Sequence, residues 1–192
     1  MKKFFLSLFF IFIISSINSN AEILPLSEGR SEAKIKMVVY ESLTCSHCAD
    51  FHKNVYPLLK ENFIDIGLVK IEFRSFPLDI AALNASKIAH CKNDGSSKIL
   101  HYLYENQNKW VRGKTEEELN KNLKDVIESS SYSLNFDKCI NDKVLEDHIL
   151  EDRINGMKSF KVQATPTLII MGEKFEKPLT YKNIKKYLEK LI

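Results

Sequence analysis

The 192-residue chain has one tryptophan, five prolines and four cysteines, and past residue 14 it contains no apolar run long enough to cross a bilayer. It lacks a second Cys-X-X-Cys and any pair of histidines at ligand spacing, which argues against a structural zinc site. Charge of one sign is missing too. There are 28 basic residues against 25 acidic ones, and two of the basic ones, Lys2 and Lys3, stand at the very start, so bulk electrostatics give no reason to expect nucleic acid as a partner. No internal repeat and no low-complexity tract is present. The stretch where an oligomerisation stalk would sit, Glu22 to Glu32, carries no heptad run, which favours a monomer.

What is present begins with a leader. Lys2 and Lys3 precede an apolar stretch from Phe4 to Ile14, relieved only by Ser7, and Ser19-Asn20-Ala21 fits a small-x-small cleavage site. Residues 1–21 are therefore expected to be a secretory signal, with an uncleaved membrane anchor as the alternative, and the mature chain is expected in the periplasm or outside the cell. All four cysteines lie after the leader. In an oxidising compartment two disulfides are feasible, and spacing alone leaves three pairings open.

Along residues 22–192 the pattern is that of one α/β core interrupted by helices. Glu22 to Glu32 reads as an extended lead-in with at most one short edge strand. Ile35 to Ser42 is apolar and β-branched enough for a central buried strand, and Leu68 to Phe73 follows as a second one after the Asp65-Ile66-Gly67 turn. Between them Thr44 stands as an N-cap for a helix with Phe51, Val55, Leu58 and Leu59 on one face, interrupted at Pro57. Strand signals then stop. Asp79 caps a helix through Ala89; Ile99, Leu103 and Trp110 share a face; Thr115 with Glu118 is a capping box; and another helix is expected from Asp142 to Ile154. Thr167 to Met171 returns to β pattern, Lys174 to Glu176 can pair back, and Thr180 caps a last helix whose apolar face is Ile184, Tyr187, Leu188 and Leu191.

The chemistry concentrates in Cys45-Ser46-His47-Cys48. A thiol in the first turn of a helix has unpaired N–H groups and the dipole to stabilise a thiolate, and a second thiol one turn deeper can resolve a mixed disulfide. Cys45 is then the nucleophile and Cys48 the resolving thiol, while His47 adds donor character. An inert bridge and half of a zinc site are the bland alternatives. Thr165-Pro166 before the third strand is an X-Pro bond able to be cis, or an ordinary strand-start proline. His52, His90, His101 and His148 read as isolated, solvated or satisfied side chains.

Taken together, these features resemble the DsbA-like thiol-disulfide oxidoreductases of the thioredoxin superfamily. Cys45-Ser46-His47-Cys48 is similar to that family's Cys-Pro-His-Cys, Phe73-Arg74-Ser75-Phe76-Pro77-Leu78 follows at the corresponding place, and Ala164-Thr165-Pro166-Thr167 resembles its cis-proline strand. The resemblance implies a thioredoxin-like α/β fold over 22–77 and 161–192 with an inserted helical subdomain at 78–160. It also implies a Cys45/Cys48 redox cycle, a substrate groove at Thr165 and Pro166, and no metal or cofactor. Reduced unfolded exported proteins are the implied substrates, and a quinone-linked membrane oxidant of DsbB type is the implied partner. Cys91 and Cys139 are implied to form a second disulfide, as in an alphaproteobacterial-type branch. Ser46 in place of proline is expected to loosen the first turn, and Ser46 and His47 together are implied to tune how oxidising the pair is. Val39 stands where relatives bury a carboxylate, leaving Glu41, expected to be a partly exposed strand-end group. A disulfide isomerase or reductase, which Thr165 favours, and a non-redox chaperone or binding module are the rival readings.

Overall fold

Alternation of apolar residues decides which strands form and how they stack. The computed structural model describes residues 22–192, so the secretory leader expected over 1–21 lies outside the described residues. The strands are β1 Leu26–Glu28, β2 Ile35–Glu41, β3 Val69–Ser75, β4 Thr167–Ile170 and β5 Glu173–Lys174, in the sheet order β1-β3-β2-β4-β5. The β-branched run of β2 takes the middle, and like β4 beside it is apolar enough to be covered on both faces. It pairs parallel with β3, Ile35 opposite Val69 and Glu41 opposite Ser75, and antiparallel with β4, Met37 opposite Ile170.

The two-residue period then divides the sheet. Met37, Val39, Ile71, Phe73 and Leu168 enter the main core, whereas Val38, Tyr40 and Ile169 face a smaller cluster with Phe76, Phe160 and Val162. Residues 46–64 form α1 (Ser46–Asn54), α2 (Tyr56–Leu59) and a π-helical turn over Lys60–Ile64. The break falls at Val55, two residues before Pro57, and it turns Leu58 out to solvent, against its expected place on the buried face, while Leu59 stays inside.

Residues 78–160 hold α3 (Ile80–His90), α4 (Lys98–Glu105), α5 (Gln107–Trp110), α6 (Glu116–Glu128), α7 (Phe136–Ile140) and α8 (Lys143–Phe160). Local caps fix several starts. Asp79 accepts from Ala82 N at 2.8 Å, Asp142 from Val144 N at 2.9 Å, and Thr115 from Glu118 N at 3.2 Å. The capping box is only half closed, because the Glu118 carboxylate takes Lys114 N at 2.7 Å instead. α7 has no counterpart in the periodicity; its five residues are too few to show one. α8 runs six residues beyond the expected Ile154. Its Gly156 lies against the Tyr40 ring so closely that an added Cβ would stand 2.7 Å from Tyr40 Cε1. The buried Asp152 on the same helix accepts from Arg74 Nη1 at 2.9 Å and Ser75 N at 3.3 Å, pinning α8 to β3. The last helix, α9 (Tyr181–Leu188), buries Ile184 and Leu188, but Leu191 lies past its end and is exposed.

Candidate active site

The carboxyl end of β2 delivers Leu43 and Thr44 to the start of α1. Cys45, rather than Thr44, occupies the N-cap position, in extended conformation (φ −78°, ψ 120°). Thr44 is drawn away because its hydroxyl donates to Asp79 Oδ2 at 2.8 Å. The displacement matters, since an N-cap side chain faces the free N–H groups two and three residues on. Here that side chain is a sulfur, and the N–H groups are those of His47 and Cys48.

The two thiols differ sharply. Cys45 is partly exposed and is pulled down to about 5: the Cys48 thiol donates to it, burial opposes, and the Thr165 side chain with the N–H groups of Cys48 and His47 adds to the lowering. Cys48 is fully buried and pushed well above the usual thiol range, first by burial, then by its hydrogen bond to Cys45 and the charge of Glu41. A proton placed on Cys48 and a negative charge on Cys45 are thus the favoured reduced state. Ser46 and His47 are exposed, and the backbone N–H of His47 is one of the first-turn groups that lower the Cys45 thiol.

The Thr165–Pro166 peptide bond is cis, and Cys45 Sγ lies 3.4 Å from the Thr165 carbonyl oxygen. The loop before β4 is therefore brought directly against the nucleophile. Cys91 and Cys139 are joined by a disulfide with Cα atoms 5.5 Å apart, linking the end of α3 to α7. The four cysteines are thereby sorted into one bridge in the helical block and one dithiol at the strand end.

Several supporting residues carry no local sequence signal. Gln107, at the start of α5, donates from Nε2 to the carbonyls of Leu43 at 2.8 Å and Cys45 at 3.0 Å, holding the loop that bears the nucleophile. Glu41, expected to be partly exposed, is buried, because α1 and α4 cover the end of β2; its Oε2 lies 2.7 Å from His52 Nε2. His52 and His101 are not isolated. Their Nδ1 atoms are 3.0 Å apart, and His101 Nε2 lies 2.8 Å from Glu28 Oε1. His90 and His148 also meet, with ring centroids 5.2 Å apart.

Known proteins share this architecture. The crystal structure of Wolbachia pipientis alpha-DsbA1 superposes with a TM-score of 0.76 at 29% identity, covering 87% of this chain and 90% of that one. Oxidised BdbD from Bacillus subtilis, at 20% identity and a TM-score of 0.72 over 86% of this chain and 91% of its own, shares the fold. A Rickettsia bellii protein named as a protein-disulfide oxidoreductase is 29% identical over 151 residues, which are 77% of this chain and 57% of the relative. The chain spans less than two thirds of the length of that relative and of its Rickettsia typhi and Rickettsia prowazekii counterparts. The family described as thioredoxin matches residues 24–190. Because that match runs through the sheet, the helical block and the last helix together, the chain belongs to the thioredoxin family.

Proposed function

We propose that this protein is a thiol-disulfide oxidoreductase that acts as an exported dithiol oxidase. The observation that carries the reading is the asymmetry within one pair: a Cys45 thiol lowered to about 5 beside a Cys48 thiol raised far above its usual range. A stabilised thiolate on Cys45 favours the dithiol over the disulfide, so the oxidised protein gives its disulfide away. Reduced substrate thiolate attacks Cys45 Sγ, the Cys45–Cys48 bond breaks with Cys48 leaving, and a second substrate thiol attacks the substrate sulfur of the mixed disulfide. The substrate leaves oxidised and the enzyme leaves as the dithiol. Thr165 and Pro166, within reach of Cys45, form the groove for an extended substrate strand. Ser46 tunes the pair through a first turn without proline, and His47 through its N–H group.

In this reading residues 1–21 are removed on export to the periplasm. Residues 78–160 are a helical subdomain inserted between 22–77 and 161–192, and the Cys91–Cys139 bridge is structural. The substrates are reduced unfolded exported proteins, reoxidation comes from a quinone-linked membrane oxidant of DsbB type, and the protein works as a monomer. Thr165 before the proline favours a second reading, disulfide isomerase. Parallel assays on reduced and on scrambled ribonuclease separate the two. Fast oxidation of the reduced substrate is expected; rapid reshuffling with poor oxidation would assign the isomerase instead.

A further inference from the structure

A cavity of about 840 Å³ opens to the surface along one flank of α1, between that helix and α4. Its wall on the α1–α2 side includes Ala49, His52, Lys53 and Tyr56, which follow Cys45 by four, seven, eight and eleven residues, the spacing of a single helical face. The nucleophile therefore stands at the head of this wall. The cavity and the cis-proline loop lie on opposite flanks: Ser27 and Glu28 of β1 line the cavity, Thr165–Pro166 leads into β4, and β1 and β4 fall on opposite sides of β2 in the sheet. We propose that the cavity is a second substrate site, which takes an aromatic side chain and its neighbours from an extended segment of the reduced protein whose cysteine is being oxidised at Cys45.

The walls suit rings better than charges. Tyr56, Tyr102, Tyr104 and Tyr132 all line the cavity, Tyr104 stacked on His52 at 4.1 Å and Tyr56 on His101 at 4.5 Å between centroids, with Tyr102 edge-on to Tyr132 at 5.5 Å. Rings fixed in this way offer further faces and edges to an incoming ring. The one carboxylate among them is already matched, because Glu28 meets His101 Nε2 at 2.8 Å, the Ser97 hydroxyl, and Lys60 at 3.0 Å. At the rim two exposed lysines, Lys53 and Lys98, stand with two exposed acids, Asp50 and Glu105, and none of the four makes an ion pair among the described residues. Equal numbers of each sign leave the rim no net charge with which to select or reject a chain. Size agrees with a segment of chain, since sites of about 300–1,000 Å³ enclose a drug-sized ligand and not merely one ring.

The reach is also right. A helix rises about 1.5 Å per residue, which sets Ala49 about 6 Å and Lys53 about 12 Å along α1 from Cys45. Extended chain advances about 3.3 Å per residue, so a residue about four places from the substrate cysteine comes level with Lys53. One arm of the substrate then lies in the Thr165–Pro166 groove and the other in the cavity. The inference rests on the exchange reading above and gives it a preference among thiols: a cysteine with an aromatic residue about four places away is oxidised ahead of one without.

The test uses three thiols as single-turnover substrates of the oxidised protein, each reaction quenched, alkylated and scored by mass. They are glutathione, too short to enter the cavity, and two short peptides of glycine, serine and alanine around one cysteine, which carry either alanine or phenylalanine four places from it on both sides. At low concentration the wild type should react with the phenylalanine peptide about tenfold faster than with the alanine peptide, as burial of much of one aromatic side chain predicts, and the difference should disappear at saturation. Tyr132→Ser, in the loop after α6, removes a wall; Lys53→Trp, at an exposed position of α1, fills the space. In both variants the preference should fall to about twofold or less, each rate being divided by that of the same protein with glutathione so that any general change at Cys45 cancels. If Tyr132→Ser does not fold, Lys53→Trp decides alone. Equal rates for the two peptides in wild type, or a preference that survives in Lys53→Trp, would overturn the second site and leave the exchange reading intact. Dimerisation of the wild type that Lys53→Trp abolishes would give the cavity to a second copy of the chain and overturn the proposal in that way. Failure of the wild type to exchange with glutathione would overturn the exchange reading itself.

Discussion

Removing the Cys45 sulfur should flatten the pH dependence of the reduced protein's stability in one specific window. The Cys45 thiol lies at about 5 in the folded chain against 9.0 for an unperturbed cysteine, so folding releases a proton wherever the pH falls between the two. The stabilisation is therefore complete above 9.0, shrinks as pH drops, and is gone once pH falls through about 5. At pH 7 roughly two pH units of it are realised, about 3 kcal/mol before screening, and solvent access to the partly exposed sulfur reduces this to about 1–2 kcal/mol. Urea unfolding of reduced wild type and reduced Cys45→Ser, each near pH 7 and near pH 4, measures it as a double difference in which carboxylate and histidine contributions cancel. Serine is a good N-cap residue, but that benefit does not depend on pH. The wild type should lose about 1–2 kcal/mol more than the variant on acidification. A double difference under about 0.5 kcal/mol, or ultraviolet thiolate absorbance titrating near 9.0, would refute the reasoning.

Further outcomes follow from packing and charge. Gly156→Ala should destabilise the protein by about 1–3 kcal/mol in urea despite the gain in helix propensity, because the new methyl meets the Tyr40 ring at 2.7 Å; a higher midpoint would show that α8 can move off the sheet at little cost. The Cys91→Ser, Cys139→Ser double variant should lose about 2–4 kcal/mol, the bridge closing a loop of sequence separation 48, and unchanged thermal unfolding would mean the reduced chain is already restricted there. His90 is buried with both ring nitrogens unbonded, and burial first, then the His148 and Arg74 charges, bring it down to about 3 from 6.5. A histidine lowered in this way costs stability as pH falls from 6.5 towards 3, so His90→Leu should relieve about 2 kcal/mol of acid sensitivity near pH 4.5, read as a smaller drop in urea midpoint than in wild type.

Local chemistry made much of this molecule legible in advance. Asp79, Thr115, Asp142 and Thr180 declare helix starts because a cap acts within three residues of itself, and the β-branched run from Ile35 needs no partner to read as a central strand. What escaped depends on cover supplied from far along the chain. Glu41 is an ordinary strand-end carboxylate until α1 and α4 close over it, and His52 meets His101 across 49 residues with no spacing rule to foretell it. Gly156 misleads in the opposite direction. As a local signal it suggests a stop, whereas the helix runs on to Phe160 and the glycine is there because the Tyr40 ring occupies the space a side chain would need. Thr44 is the subtlest case: its cap propensity is real, but Asp79, 35 residues on, claims the hydroxyl and passes the capping position to a sulfur.

Gln107 ties two stretches of chain 62 residues apart, since one amide nitrogen serves the carbonyls of both Leu43 and Cys45. Any opening of α5 withdraws the Gln107 amide from both carbonyls together, leaving Cys45 O only its helical bond from Ala49 N, so fraying of that short helix and loosening of the reactive loop belong to one cooperative unit. In hydrogen exchange the amides of α5 and of the turn at Cys45 should gain and lose protection as a pair. A ligand that grips the helical block alone would then quieten the fluctuations of the nucleophile without touching it.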